Sequence, residues 1–379
     1  MRVLILSCNT GGGHNSAAAA VKEYFDSMDI SCDIMDALAF DSQRKSDFIS
    51  WGHVFVYKRA PRLFGAGYKY TENHPPKPGK QSVIYHIVKK GAESLHDFLT
   101  GEGADIDVIV STHIFASMIL TEVKRKYPTS VKIYFIATDY TCSPGVDEID
   151  ADAIFIPHRA LISDFTGNGI PEEKIIVSGI PVRRAFYERT AAVQAKRELG
   201  LPAHSRMVLM MCGSMGCGPL RELAFALSRN IPTDTVLVVV CGSNERLYEK
   251  FQKLSGLPNV FVIGFTRKIS LYMDAASVIL TKPGGLSTTE AATKGLPMVF
   301  IDAVPGCESK NMDFFVRNGF ALTDSTVDGL ASKVKELLTD SGRAERMSLA
   351  LRESFEGYAA GKIGGYILSE VSNFNGRLS

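Results

Sequence analysis

The first strand-to-helix junction decides the fold: residues 2–25 read RVLILSCNTGGGHNSAAAAVKEYF. The apolar run at 2–6 is typical of a buried β-strand, and the apolar residues between Ala17 and Phe25 recur at helical spacing, which predicts a helix over 15–28. Three glycines at 11–13 allow a tight turn and a close approach of the backbone to a ligand. The helix start favours a phosphate, although the glycine spacing fits neither the dinucleotide-binding nor the P-loop pattern.

His14 stands at the mouth of this predicted helix. The positive end of a helix dipole disfavours imidazolium, so we expect a neutral ring near pH 7 that can accept a proton. His14 is therefore a candidate general base. A histidine that caps the helix or faces solvent is the alternative interpretation.

The strand–helix pattern runs along the chain twice. After the first strand, further strands are predicted at 31–37, 107–112, 132–138, 153–157 and 174–179, and then at 207–213, 235–242, 260–265, 277–282 and 297–302. Strands alternating with helices give parallel sheets, so we predict an α/β chain of two doubly wound, Rossmann-like domains. The predicted domains are 1–180 and 181–357, with a helix over 358–379 returning to the first domain. The carboxyl ends of the strands, facing across a cleft, are the expected ligand site.

Composition narrows the class of protein. The 379 residues suffice for two domains, and a net charge of +1 gives no overall nucleic-acid signature. Seven scattered cysteines without a CxxC pair indicate free thiols in a reducing compartment, so a cytoplasmic location is expected. The chain begins with a strand pattern and has no apolar run near the ~18 residues that span a bilayer, so neither a signal peptide nor a membrane-spanning helix is expected.

The most informative segment of the second half is TKPGGLSTTEAATKGLP at 281–297. Its glycines end a strand, and the hydroxyl residues after them start a helix with groups that suit an anion. Glu290 is expected in the first helical turn, where its carboxylate can accept two hydrogen bonds from a ribose diol or simply complement the helix dipole. A second glycine loop, GSMGCGPL, lies at 213–220, and the loop at 302–311 carries groups that suit sugar hydroxyls or only solvent.

Together TGGGHNSAAAA at 10–20, GFTRKISLYMDAASVILTKPGGLSTTEAATKGLPMVF at 264–300 and VPGCESKN at 304–311 resemble the monogalactosyldiacylglycerol synthase and processive diacylglycerol glucosyltransferase group of glycosyltransferase family 28. The resemblance extends over nearly the whole chain. It implies the GT-B fold and an inverting transfer of a hexose from a UDP-sugar to the hydroxyl of diacylglycerol or a glycosyldiacylglycerol. It implies no metal and no other cofactor.

The resemblance also implies roles for single residues. His14 would take the proton of the acceptor hydroxyl, Glu290 would bind ribose, and Gly264 with Phe265 would contact uracil. The implied donor-binding residues are Gly12, Gly13, Gly213, Ser214, Gly264, Phe265, Gly284, Gly285, Ser287, Thr288, Glu290, Glu308 and Asn311. Within this set, Gly284, Gly285, Ser287 and Thr288 would hold the diphosphate, and Glu308 and Asn311 the sugar. Cys307 departs from the family, which often has glutamine there, so the sugar stays open.

Positive charge gathers between residues 44 and 90, with ten basic residues against two acidic ones, and aromatic side chains lie among them. This composition suits the surface of an anionic membrane. Binding of single-stranded nucleic acid and ordinary amphipathic helices with core aromatics are the alternatives, and we expect no nucleic acid. The predicted membrane and acceptor residues are Trp51, Phe55, Lys58, Arg59, Arg62, Phe64 and Tyr68. They predict a peripheral protein on the inner face of the cell membrane.

Other activities remain open at this point. The same fold could transfer N-acetylglucosamine from its UDP derivative to a polyprenyl-diphosphate lipid, act as a UDP-sugar epimerase, or sense a sugar nucleotide without catalysis. The acidic residues Asp147, Asp150 and Asp152 could bind a metal, but a solvated acidic loop is the favoured interpretation.

Overall fold

The computed structural model describes residues 1–9, 12–42, 65–70, 81–211, 220–252 and 259–375, with side chains to 372. Within these residues the chain divides into two compact units. Unit 1 takes the chain from Met1 to Arg184, Pro305–Cys307 and the chain from Gly357 onward, and unit 2 takes Ala185–Val304 and Glu308–Glu356. The domain boundary predicted at 180/181 thus lies four residues from the division at 184/185.

Each unit contains a parallel six-stranded sheet. The unit 1 sheet has the order β2-β1-β3-β4-β5-β6, and the unit 2 sheet has the order β12-β11-β10-β7-β8-β9. The strands are β1 Arg2–Ser7, β2 Ser31–Asp36, β3 Val108–Ser111, β4 Lys132–Ile136, β5 Ala153–Ile156, β6 Ile175–Val177, β7 Arg206–Met211, β8 Thr235–Val240, β9 Val260–Ile263, β10 Val278–Thr281, β11 Met298–Phe300 and β12 Ala321–Thr323. Eleven of them match the predicted strands. The twelfth, β12, has only three residues at a sheet edge, too short a run for a sequence pattern to reveal.

The α-helices surround these sheets. They are α1 Gly12–Asp26, α2 65–70, α3 Val83–Val88, α4 Ala92–Thr100, α5 Ile114–Lys126, α6 Ile162–Gly167, α7 Ala192–Glu198, α8 Leu220–Asn230, α9 Glu245–Gln252, α10 Ile269–Ala275, α11 Gly285–Thr293, α12 Cys307–Arg317, α13 Val327–Thr339, α14 Ser341–Ser354 and α15 Ala359–Asn375. Short 3₁₀ turns lie at Ala37–Phe40, Lys89–Gly91, Val146–Glu148, Arg159–Leu161, Glu172–Lys174 and Arg184–Phe186. No helix in the described part of the chain is long and apolar enough to cross a membrane.

Alternation along β1 explains the two-faced core of unit 1. Val3 and Ile5 join an apolar cluster on one side, while Leu4 and Leu6 join a second cluster on the other side. Successive strand residues point to opposite faces, so a strand that is apolar throughout must be covered twice. Helix α5 contributes to the second cluster, and α1 to the first.

The C-terminal helix α15 packs within unit 1. Ile363 and Ile367 are fully buried in the cluster that contains Ala18, Val21 and Phe25 of α1. Between these two isoleucines, Gly364 lies directly against the ring of Tyr24, where an added Cβ would be 2.1 Å from Cε1. The glycine is therefore required by the close approach of α1 and α15.

Replacing Gly364 with alanine is expected to lower the free energy of unfolding of unit 1 by about 1–3 kcal/mol, the usual effect of overpacking. The Tyr24 ring has little room to move, since it also contacts the rings of Phe25 and Tyr358 at centroid distances of 5.7 and 6.1 Å. The matched control is Gly365→Ala, because among the described residues nothing outside the helix backbone lies within 4 Å of that added Cβ. Chemical denaturation of both variants measures the difference, and equal midpoints would contradict the packing argument.

Candidate active site

His14 is the third residue of α1, at the carboxyl end of the unit 1 sheet. Its Nδ1 lies 2.9 Å from the carbonyl oxygen of Thr112 and 2.8 Å from Oγ1 of Thr138. A carbonyl oxygen can only accept a hydrogen bond, so Nδ1 carries the ring proton. The neutral ring therefore has its lone pair on Nε2, and this atom makes no hydrogen bond within the described residues.

The protonation state follows from the surroundings of the ring. Burial lowers the pKa of His14 below its ordinary value of 6.5, and the hydrogen bond to the Thr112 carbonyl opposes this shift only in part. The imidazole is thus neutral at pH 7, here because of burial, whereas the sequence analysis expected it from the helix dipole, and Nε2 can accept a proton. This geometry and charge state suit a general base.

Three adjacent strands bring these groups together. Residues after β1 lead to His14, β3 is followed by Thr112 and His113, and β4 is followed by Thr138. In the sheet order β1, β3 and β4 are neighbours, so their carboxyl ends meet. Sequence reasoning missed Thr112, His113 and Thr138 as partners of His14. Their positions directly after predicted parallel strands were the available signal.

His113 contacts the other side of the His14 ring. The two ring centroids are 4.5 Å apart at an interplanar angle of 75°. His113 is also the N-cap of α5, because its Nδ1 accepts a hydrogen bond from the backbone N–H of Phe115 at 3.1 Å. One residue thus begins a helix and packs against the candidate base.

A chain of polar side chains holds the start of α1. Ser7 Oγ donates to Asn15 Oδ1 at 2.6 Å, Asn15 Nδ2 donates to Asn9 Oδ1 at 2.8 Å, and Asn9 Nδ2 donates to Asp36 Oδ2 at 2.8 Å. These bonds join the ends of β1 and β2 to the helix that carries His14. Gly12 and Gly13, predicted to bind the donor, begin this helix, and beyond the helix itself no atom of the described residues lies within 4 Å of a Cβ added at Gly12.

In unit 2 the start of α11 carries the predicted diphosphate residues. Its N-cap is Gly284, in extended conformation and without a side-chain cap, and Gly285 is the first helical residue. The first N–H groups of a helix have no partner within it, so they remain suited to an anion. Ser287 is half-buried in this first turn.

Two predictions about α11 require correction. Glu290 is the sixth residue of the helix and therefore lies in its second turn, because the helix begins at Gly285 after an N-cap glycine. Thr288 is fully buried, and both its N–H and its hydroxyl donate to the carbonyl of Gly284, at 3.1 and 2.8 Å. Thr288 thus shapes the first turn, and the structure gives it no spare donor for a diphosphate. Glu290 is buried, with 8% of its surface exposed.

The predicted sugar-binding pair lies beside this helix. Asn311 is fully buried and donates from Nδ2 to the carbonyl of Pro283 at 3.0 Å, so this bond supports the backbone before Gly284. Glu308 accepts a hydrogen bond from the Val304 N–H at 2.9 Å through Oε2, which lies 3.7 Å from Lys282 Nζ. Both side chains thus help fix the loop that leads into α11.

The predicted uracil contacts follow β9. Phe265 is 72% exposed, and Gly264 approaches the ring of Tyr248, at 3.8 Å from an added Cβ. Gly213 and Ser214 lie outside the described residues, as do Trp51, Phe55, Lys58, Arg59, Arg62 and Phe64. Tyr68 is described and half-buried, with its hydroxyl 3.6 Å from the Cys307 sulfur.

Two of the three acidic residues that were considered as metal ligands, Asp150 and Asp152, have lysine partners. Asp150 pairs with Lys124 at 3.0 Å and with Lys174 at 3.4 Å, and Asp152 pairs with Lys132 at 3.3 Å. Burial tends to raise the pKa of Asp150, but the two ammonium groups outweigh it and lower that pKa. The described residues contain no group of three side chains that could hold a metal ion.

The chain matches two protein-family models and is similar to several known proteins. Residues 14–182 match the family model of monogalactosyldiacylglycerol (MGDG) synthase, and residues 223–354 match that of glycosyl transferases group 1. A processive diacylglycerol beta-glucosyltransferase of Bacillus mycoides (strain KBAB4) is 26% identical, over 97% of this chain and 94% of that protein. The chloroplastic monogalactosyldiacylglycerol synthase of Spinacia oleracea is 29% identical, over 84% of this chain and 62% of that protein. The chain is similar to the diacylglycerol glycosyltransferases along nearly its whole length.

The fold is also similar to that of a solved structure. The co-structure of MnaA from S. aureus with UDP superimposes with a TM-score of 0.64 and 16% identity, covering 98% of this chain and 97% of the other. With the two parallel sheets, this likeness establishes the predicted GT-B fold. Both matching family models describe glycosyltransferases, and this supports a glycosyltransferase.

Proposed function

We propose that the chain is an inverting hexosyltransferase that moves a sugar from a UDP-sugar to the hydroxyl of diacylglycerol, or of a glycosyldiacylglycerol, at a membrane surface. The observation that carries the proposal is the state of His14: a neutral ring, with its proton on Nδ1 between Thr112 and Thr138 and its lone pair on Nε2. The names of the relatives supply the substrate class, since both act on diacylglycerol or make a galactosyl derivative of it.

The proposed step is a single displacement. Nε2 of His14 takes the proton of the acceptor hydroxyl while the oxygen attacks the anomeric carbon from the side opposite to UDP. The new carbon–oxygen bond forms as the bond to the diphosphate breaks, and UDP leaves with the electron pair. Attack from the opposite side inverts the anomeric configuration.

The leaving diphosphate gains negative charge, which preorganised N–H groups can stabilise. The uncapped start of α11 at Gly284 and Gly285 supports such a role, and a neighbour in fold is known with UDP bound. We therefore propose a reaction without a metal ion. A rate that is unchanged by EDTA supports this part of the proposal, and a rate restored only by a divalent cation contradicts it.

The acceptor side is proposed to lie on unit 1. Helix α3 exposes three aliphatic side chains, with 76% of Val83, 38% of Ile84 and 52% of Ile87 accessible to solvent. Lys89 and Lys90 follow directly. Exposed aliphatic side chains next to positive charge suit the interface of an anionic bilayer. The helix thus supports a peripheral membrane position.

The decisive experiment measures UDP release from UDP-glucose and UDP-galactose, each with and without diacylglycerol in anionic vesicles. Release that depends on the lipid supports the proposal, and the faster donor identifies the sugar. Lipid-independent release would point to an epimerase or hydrolase. No release from either donor would contradict the proposal, and the next test would be UDP-N-acetylglucosamine with a polyprenyl-diphosphate acceptor, as in cell-wall chemistry.

Glu290 provides a separate test of the donor site. If its buried carboxylate binds the ribose diol, Glu290→Ala should weaken UDP binding by about 10- to 100-fold, the loss expected for hydrogen bonds to a charged group. Isothermal titration with UDP measures the effect. The matched control is Glu249→Ala in the same unit, an exposed glutamate on α9. Unchanged affinity in Glu290→Ala would leave Glu290 with a purely structural role.

A further inference from the structure

The position of the His14 ring raises a question that its two hydrogen bonds do not answer. Thr112 and Thr138 both contact Nδ1, so they hold one corner of the ring. Nε2, the proposed base, lies at the far side of the imidazole. A general base has to remain within hydrogen-bond reach of its proton, and a displacement of about 1 Å can cost 10²-fold in rate. Some other contact has to restrain the ring plane.

His113 makes that contact. Its ring packs against that of His14 with centroids 4.5 Å apart, and on another side it meets the Phe115 ring at 4.6 Å. Only 7% of His113 is exposed, and its Nδ1 accepts the Phe115 N–H. The His113 ring is therefore itself held by the first turn of α5, and it transmits this rigidity to His14.

We infer that His113 is a positioning residue for the proposed base, an inference that rests on the proposed function. The backbone contributes to the same end. Thr112, the residue before His113, supplies the carbonyl that fixes the His14 tautomer. One turn after β3 thus sets both the proton location and the plane of the ring.

The structural role of His113 can be separated from its positioning role. As the N-cap of α5 it needs only a side-chain acceptor, which asparagine also provides. His113→Asn keeps the cap and removes the ring, whereas His113→Phe keeps a ring and removes the cap. If His113 is purely structural, the second substitution should lower kcat more than the first. If His113 positions the base, the first substitution should lower kcat more.

The chain offers a matched control in His158. It follows β5 in the same sheet, and its Nδ1 accepts the Ala160 N–H at 3.1 Å, the same capping bond as in His113. No ring contact joins it to His14 among the described residues. His158→Asn therefore makes the same substitution at another capping histidine, and it leaves the surroundings of the proposed base unchanged.

The experiment compares kcat, KM for the UDP-sugar and the melting temperature for the wild type and these three variants, with diacylglycerol in anionic vesicles as acceptor. We expect His113→Asn to lower kcat by about tenfold at unchanged KM. We expect His158→Asn to match the wild type, and His113→Phe to keep most of kcat while melting about 2–4 °C lower.

Two outcomes overturn the inference. The first is a His113→Asn variant whose kcat stays within twofold of the wild type. The second is a loss in kcat that is as large in His113→Phe as in His113→Asn, since a variant that keeps a ring would then be no better than one that lacks it. Failure of the proposed function is distinct, because the wild type itself would then show no lipid-dependent release of UDP.

Discussion

Replacing His14 with alanine is expected to lower kcat for sugar transfer by about 10²–10⁴-fold, the range that general-base catalysis contributes. UDP affinity should remain at the wild-type value. The reason is the geometry of the ring: Nδ1 is committed to Thr112 and Thr138, so the catalytic lone pair resides on Nε2. Steady-state kinetics together with UDP titration measure both quantities. A single enzyme preparation thus separates the loss of chemistry from a loss of donor binding.

The matched control is His204→Ala, because His204 is an exposed histidine of unit 2 with no place in the proposed reaction. It should retain the wild-type rate. Turnover of His14→Ala within a few-fold of the wild type would remove His14 as the base. A matching loss of UDP affinity would assign the residue to donor binding instead.

The pH dependence of kcat/KM tests the same assignment without a substitution. A base works in its neutral form, so the rate should fall as the pH drops through the pKa of His14. Burial lowers that pKa below 6.5, and we therefore expect the acidic limb of the profile to have its midpoint below pH 6.5. A limb that is centred above pH 6.5, or that survives unchanged in His14→Ala, would belong to another group.

The sequence predicted the fold to a large extent because buried parallel strands leave a strong pattern. β1 and β8 are apolar along nearly their whole length, and each is covered on both faces. The edge strand β12 was missed because three residues carry no such pattern. The helix that starts at Gly12 was predicted to start at 15, since glycines give no helical signal of their own.

The candidate site was predicted only where chemistry shows in local sequence. His14 was found from the glycines before it. Its partners Thr112 and Thr138 lie 98 and 124 residues away along the chain, and only the order of the strands brings them together. Asn311 was predicted as a ligand residue because of its polar side chain, yet its amide is used inside the unit, on the Pro283 carbonyl. Composition cannot distinguish a polar group that faces a ligand from one that supports a loop.

A buried ion pair gives the largest expected effect on stability. Lys294 follows α11, and its ammonium lies 2.9 Å from the Asp274 carboxylate, with only 2% and 8% of the two side chains exposed. Lys294 also donates to the Glu188 carbonyl. Burial lowers the pKa of Lys294, and the neighbouring carboxylate of Asp274 acts against this shift. Each charge thus compensates the other, whereas either charge buried alone would lower the free energy of unfolding.

Replacing Lys294 with methionine is expected to lower the free energy of unfolding of unit 2 by about 3–5 kcal/mol, because it leaves the Asp274 carboxylate buried without a cation. The double variant Lys294→Met/Asp274→Asn should recover most of this loss. Asparagine removes the charge but keeps an oxygen for the Thr190 N–H, which donates to Asp274 at 3.3 Å. Urea denaturation of the wild type, the single variant and the double variant measures their free energies of unfolding. Equal instability of the two would make lost packing, rather than an uncompensated charge, the cause.

The exposed Lys250 provides the control, since Lys250→Met should change stability by less than about 0.5 kcal/mol. The ion pair also connects to the proposed donor site. The Arg189 guanidinium donates to the carbonyls of Lys294 and Thr293 at 2.8 and 3.0 Å, so the end of α11 is fixed to the segment before α7. Gly284 and Gly285 lie at the start of the same helix. Lys294→Met should therefore also weaken UDP binding, whereas Lys250→Met and the charge-compensated double variant should bind UDP nearly as well as the wild type.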